Sequence, residues 1–100
     1  MRVGDVVLDE SEVRLWVDGS EVLIPRREFQ VLAELMRQAG RVVTRQQLFD
    51  VVWEGEVDIR SNAMEVHISR LRAHLQASHD VSITTLRGRG YRLDHDGGGR

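Results

Sequence analysis

The sequence predicts an α+β domain. A small N-terminal antiparallel sheet (about 3–24) leads into three helices (about 26–38, 45–52 and 60–77) and a C-terminal β-hairpin (82–93). Two periodicities and one charge asymmetry carry that prediction. Met64, Ile68, Leu71 and Leu75 recur at i, i+4, i+7 and i+11, the apolar stripe of an α-helix. Alternating β-prone runs flank Asp18-Gly19 near the start and Arg87-Gly88-Arg89-Gly90 near the end, and such flanking reads as hairpins. Residues 1–59 hold 7 arginines against 12 carboxylates, whereas residues 60–92 hold 6 arginines against Glu65 and Asp80 alone. The net charge of −2 therefore hides an acidic first half and a basic second half. A basic half of this kind can turn toward an anionic partner while the acidic half faces away.

The elements follow in order. Val6-Val7-Leu8 is a short strand, and Val13, Leu15 and Val17 are expected on one face of the next, with Arg14 and Trp16 on the other. Asp18-Gly19 is a two-residue turn into Ser20–Ile24, with Val22 and Ile24 inward. Trp16 is expected to pack half-buried against a neighbouring strand. Pro25 starts the first helix, whose buried stripe is Phe29, Leu32, Ala33 and Met36, and Ala39-Gly40 ends it. Thr44 and Gln47 have capping-box spacing for the second helix, with Leu48, Val52 and Trp53 on its core side. Asp58 or Ser61 is expected to cap the third helix. The glycine-rich residues 94–100 are expected to form a flexible tail.

The outer face of the third helix carries Asn62, Val66, Ser69 and Ala73 beside Arg70, in place of the usual coat of Glu and Lys. Small side chains permit close approach to a DNA major groove, a methyl group suits thymine, and an arginine suits guanine. An arginine on a slim ribbon can enter the narrow, negative minor groove. A helix with such a face followed by a basic hairpin is the layout of a winged helix-turn-helix.

At Arg27-Glu28-Phe29, Gly40–Leu48, Val51-Val52-Trp53, Val66–Arg72 and Thr85–Leu93 the sequence resembles the effector domain of OmpR/PhoB-type response regulators, over about Val3 to Leu93. The five segments occur in order and at consistent spacing. Pro25 departs from the threonine that the family often places there. The resemblance implies binding of double-stranded DNA at direct-repeat half-sites, with phosphorylation of an N-terminal receiver domain promoting pairing. That receiver domain is absent from this chain, so an excised effector domain, or less readily a stand-alone regulator, is expected, monomeric in isolation and cytoplasmic. The resemblance also makes Glu54, Glu56 and Asp58, in the loop before the third helix, a docking surface for RNA polymerase, although a plain solvated loop fits those residues equally.

Within that frame Arg70 is expected to pair with a guanine and Val66 with a thymine methyl, and Asn62 and Ser69 to add base or phosphate hydrogen bonds. Arg72 falls toward the core boundary and suits a phosphate or an intramolecular ion pair. His67 lies off the readout face, where a phosphate contact and a packed surface histidine are both open. Arg87 matches the family's wing arginine, and Arg89 ranks below it. Thr85 and Tyr91 would hold phosphate by their hydroxyls, with the Tyr91 ring also anchoring the wing.

Other classes fit poorly. His67, His74 and His79 are spaced by seven and five residues, which places them on different faces, so no metal is expected. Gly88-Arg89-Gly90 lacks the strand-to-helix setting of a dinucleotide loop, and no nucleophile has a base partner, so neither a cofactor nor an enzyme activity is expected. Zero cysteines exclude disulfides and thiolate metal sites. No apolar run approaches the about 18 residues of a membrane span. The alternative is a winged-helix module used only for protein–protein recognition, which the net acidity and the small or weakly basic Ser69, Ala73 and His74 would suit.

Overall fold

A computed structural model describes residues 1–54 and 60–95. Four strands, β1 (Arg2–Val3), β2 (Val6–Asp9), β3 (Arg14–Val17) and β4 (Ser20–Val22), form an antiparallel sheet in sequential order. Val6 faces Val17 and Leu8 faces Leu15, and all four side chains enter the core. Asp18 and Gly19 both have positive φ, 50° and 85°, as a type I′ turn between right-twisted strands requires.

Val13 does not join the inward face. It adopts a φ of 54° and is 46% exposed. The Asp9 carboxylate accepts hydrogen bonds from Ser11 Oγ and the Glu12 amide, which curls residues 10–13 into a turn and delays the strand to Arg14. Trp16 is half-buried, with the Arg14 guanidinium 4.8 Å from its ring centre.

Helix α1 (Arg26–Arg37) has Pro25 as its N-cap, one position earlier than a first-turn proline, and Gln38 as its C-cap. Its expected stripe is buried, and so are Val31, Leu35 and Glu28, because α2, α3 and β7 pack against it on several sides. Gly40 (φ 82°) then turns the chain, and its amide bonds the Leu93 carbonyl at 2.9 Å. Val42–Val43 forms β5, a strand not expected from sequence, and Thr44 caps α2 (Arg45–Trp53) with a complete capping box to Gln47.

Helix α3 (Ala63–His74) starts three residues later than expected and ends in a single 3-10 turn, Leu75–Ala77. Its N-cap is Asn62, whose side chain makes no cap hydrogen bond. Ser61 Oγ instead accepts from the Ala63 amide at 3.4 Å. Asp58, the other expected cap, lies outside the described residues.

The wing consists of β6 (Val81–Leu86) and β7 (Gly90–His95), with β5 on the far edge of β7, so the sheet order is β5-β7-β6. Asp94 and His95 therefore belong to the sheet and not to the tail. The Asp94 carboxylate takes hydrogen bonds from Arg92 and Thr84, and Asp94 and His95 pair with Ser82 and Val81. Residues 96–100 lie outside the described residues. No helix among the described residues is long and apolar enough to cross a membrane.

Candidate nucleic-acid interface

Helix α3 buries Met64, Ile68 and Leu71, and the 3-10 turn after it buries Leu75, with α1 and the wing sheet packed against α3. The 3.6-residue repeat then turns the residues between them outward. Asn62, Ser69, Arg70 and Ala73 are exposed and Val66 is half-buried, so the uncharged face expected of a groove-reading helix is accessible. The Arg70 side chain is 62% exposed, and its Nη1 lies 3.6 Å from a carboxylate oxygen of Glu28 in α1.

The wing is tied to α3 by one arginine. Arg72 donates from Nε to the Ile83 carbonyl at 3.1 Å and from Nη2 to Thr85 Oγ1 at 2.5 Å. Arg72 is thereby committed within the chain. Thr85 accepts that bond, and its own hydroxyl proton remains available to a phosphate oxygen.

The tip is a three-residue loop closed by the Leu86–Gly90 pair and by the Arg89 amide on the Leu86 carbonyl at 2.8 Å. Gly88 supplies the positive φ, 74°, that such a loop needs. Arg87 and Arg89 are exposed, and among the described residues neither side chain makes an ion pair or hydrogen bond. Two guanidinium groups without a partner among the described residues are thus presented at the end of the ribbon.

Tyr91 takes a different place from the other wing residues. It is 6% exposed, paired with Val43 of β5, and its hydroxyl donates to Glu65 at 3.4 Å. Burial raises its pKa, and the neighbouring Glu65 charge raises it further.

Glu65 accepts from Arg45 Nε at 2.9 Å, which holds its carboxyl below the usual range, and Arg45 also reaches the Ser61 carbonyl at 2.6 Å. The start of α2 (Thr44, Arg45, Gln46), Glu65 of α3 and the wing from Thr85 to Tyr91 line one groove. Sequence reading missed this join, because Arg45 and Glu65 are 20 residues apart and carry no shared pattern.

His67 stacks on Trp53 with ring centres 5.4 Å apart, and its side chain is 17% exposed. It packs between α2 and α3, away from the outer face of α3. Glu54 is exposed at the left-handed C-cap of α2, whereas Glu56 and Asp58 lie outside the described residues. No group of three or more His, Asp or Glu side chains that could hold a metal occurs among the described residues.

The family model for "Transcriptional regulatory protein, C terminal" matches residues 19–93. The chain is 40% identical over 99 residues to the transcriptional regulatory protein TcrA of Mycobacterium tuberculosis, covering 98% of this chain but 39% of that protein. It thus spans about two-fifths of the length of this curated relative. Among solved structures it is similar to the DNA-binding domain of CpxR from E. coli (TM-score 0.83, 32% identity, 93% of each chain covered). It is also similar to the Klebsiella pneumoniae RstA DNA-binding domain solved in complex with the RstA box (TM-score 0.80, 26% identity, 94% of this chain and 95% of that one). That family consists of transcription-factor domains and not of enzymes. By its sequence match and its fold, the chain belongs to the C-terminal effector domains of OmpR/PhoB-type response regulators, with their winged helix-turn-helix architecture.

Proposed function

We propose that the chain binds double-stranded DNA sequence-specifically, with α3 in the major groove and the wing tip in the adjacent minor groove. The observation that supports the reading is that α3 leaves Asn62, Ser69, Arg70 and Ala73 exposed, while the wing tied to it through Arg72 ends in Arg87 and Arg89, both exposed and without a side-chain partner among the described residues. Arg70 reads guanine bidentately and Val66 touches a thymine methyl, while Asn62 and Ser69 add hydrogen bonds at the base edges or backbone. Arg87 enters the minor groove, Arg89 lies near phosphate, and Thr85 fixes register through its free hydroxyl. Arg72, His67 and Tyr91 act from within, since each is already engaged by protein groups.

The RstA domain, solved on its DNA box, supports this assignment by likeness of fold and sequence. In a full-length protein the domain would follow a receiver domain and act in the cytoplasm as the DNA-binding part of a two-component transcriptional regulator. There two copies would occupy direct-repeat half-sites, and Glu54, Glu56 and Asp58 would meet RNA polymerase. The isolated domain would be monomeric.

The rival reading, protein–protein recognition alone, draws on the net charge of −2 and on Ala73 and His74 along α3. Fluorescence anisotropy with a duplex selected from a random pool separates the two. DNA binding predicts an affinity that falls linearly with salt on logarithmic axes, by about 0.9 per phosphate contact. Absence of salt-dependent binding to any duplex would leave the protein-recognition reading standing.

A further inference from the structure

Glu28 is the one charged residue buried among the described residues, at 0% exposure in the first turn of α1. Among those residues neither of its carboxylate oxygens accepts a hydrogen bond. A carboxylate removed from water is strongly disfavoured unless neighbouring charge compensates it. Among the described residues, the three charged or ring nitrogens within 4 Å of it come from α3. His67 Nδ1 is 3.7 Å and Arg70 Nη1 3.6 Å from Oε2, and His74 Nε2 is 3.8 Å from Oε1. These positions, i, i+3 and i+7, share one helix face.

Of the three, Arg70 alone is a permanent cation, and it is also the side chain most open to solvent, at 62% against 17% and 33%. One end of its guanidinium is drawn toward the buried charge while the rest faces outward. An arginine offers five N–H donors in a rigid fork, so holding one nitrogen leaves the opposite edge free for a bidentate partner.

From this geometry we infer that Glu28 is a specificity-determining positioning residue. From α1, outside the DNA face, its buried carboxylate restrains the Arg70 guanidinium in the orientation that addresses a base. The inference rests on the base-reading role proposed for Arg70. A long side chain ordered before binding loses less freedom on binding, so the restraint favours the sequence that Arg70 reads and has no bearing on sequences read through phosphate alone.

The test is a double-mutant cycle between Glu28→Gln and Arg70→Ala, measured by anisotropy on a duplex selected from a random pool and on a random-sequence duplex of equal length. Glutamine keeps the shape of Glu28 and removes its charge. Glu28→Gln should weaken binding to the selected duplex by about 2- to 10-fold, the change expected from having to order one rotamer-rich side chain. It should leave the random duplex unaffected and have no further effect in the Arg70→Ala background. Should Glu28→Gln fail to fold, Glu28→Asp, which keeps the charge and withdraws it from Arg70, should show the same selective loss. Equal losses on both duplexes, or an undiminished loss without Arg70, would reduce Glu28 to a fold-supporting residue and overturn the inference. If Arg70→Ala alone leaves the preference for the selected duplex intact, the base-reading role itself fails, an outcome separate from the previous one.

Discussion

Replacing Gly90 by alanine would place a Cβ 2.1 Å from the Val43 carbonyl oxygen, 2.8 Å from Thr44 Cα and 2.9 Å from the Val43 carbonyl carbon. Nonbonded heavy atoms are at their best separation near 3.5 Å, so the nearest contact is more than about 1 Å too close. All three atoms are backbone, so no side-chain rotation relieves the clash. Strands β5 and β7 would have to part at the point where Val43 pairs with Tyr91, beside the Thr44 cap of α2.

Gly90 also sits at a φ of 147°, which adds backbone strain for an L residue. Overpacking costs about 1–3 kcal/mol and the strained φ about 1–3 kcal/mol more, a loss of roughly 2–6 kcal/mol. A domain of this size is stable by only about 5–15 kcal/mol in total. Its Tm moves about 4–8 °C per kcal/mol, so far-UV circular dichroism should record a drop of at least about 8 °C.

Gly88→Ala is the internal control. It lies in the same tip at a φ of 74°, and an added Cβ there meets nothing within 4 Å. Only the left-handed backbone term applies, about 1–2 kcal/mol. If Gly90→Ala melts no earlier than Gly88→Ala, the close approach of β5 to the wing is wrong, and with it the fixed position of the tip.

Two further outcomes follow from the same contacts. Arg72→Ala removes two hydrogen bonds between α3 and β6 and should lower stability by about 1–3 kcal/mol in urea unfolding. Arg72→Lys should recover only part of that loss, because an ammonium is a single point donor, and full recovery would argue against the two-pronged tie. Acid should also destabilise the domain. Hydrogen bonds from Arg45 to Glu65 and from Arg92 to Asp94 hold both carboxyls below their ordinary values of 4.5 and 3.8. Depressed folded-state values mean that this stabilisation is complete above those ordinary values and is lost as pH falls through the folded ones. The Tm should therefore decline below about pH 4.5 and decline less steeply in Glu65→Gln, whereas an identical pH profile for that variant would refute the Glu65 contribution.

What the sequence made legible was whatever depends on near neighbours. The α3 stripe, the Asp18-Gly19 turn and the Thr44–Gln47 cap are patterns within a few residues, and each appears where its spacing places it. Features set by distant partners were not legible. Val42–Val43 becomes a strand only because β7 lies beside it, and a two-residue run carries no periodicity of its own. Tyr91 is buried opposite Val43 of β5, and its hydroxyl donates a hydrogen bond to Glu65, 26 residues away in the chain. Glu28 enters the sequence analysis only as part of the Arg27-Glu28-Phe29 resemblance, and its burial under α3 depends on residues about 40 positions away. Val13 was placed by alternation, but the Asp9 carboxylate organises the preceding turn and overrides the alternation.

The outward face of α3 is also legible, since exposure of Arg70 follows directly from burial of Ile68 and Leu71 on either side. The account stands or falls on that arginine. Paired titrations of the wild-type chain and Arg70→Ala should be run on the selected duplex, on versions with single base pairs replaced, and on random DNA. Loss of a bidentate base contact predicts weakening by about 1–3 kcal/mol on the selected duplex, relaxed preference at a single base pair, and unchanged affinity for random DNA. Equal weakening on every duplex would make Arg70 one more phosphate contact and contradict the claim that α3 reads sequence.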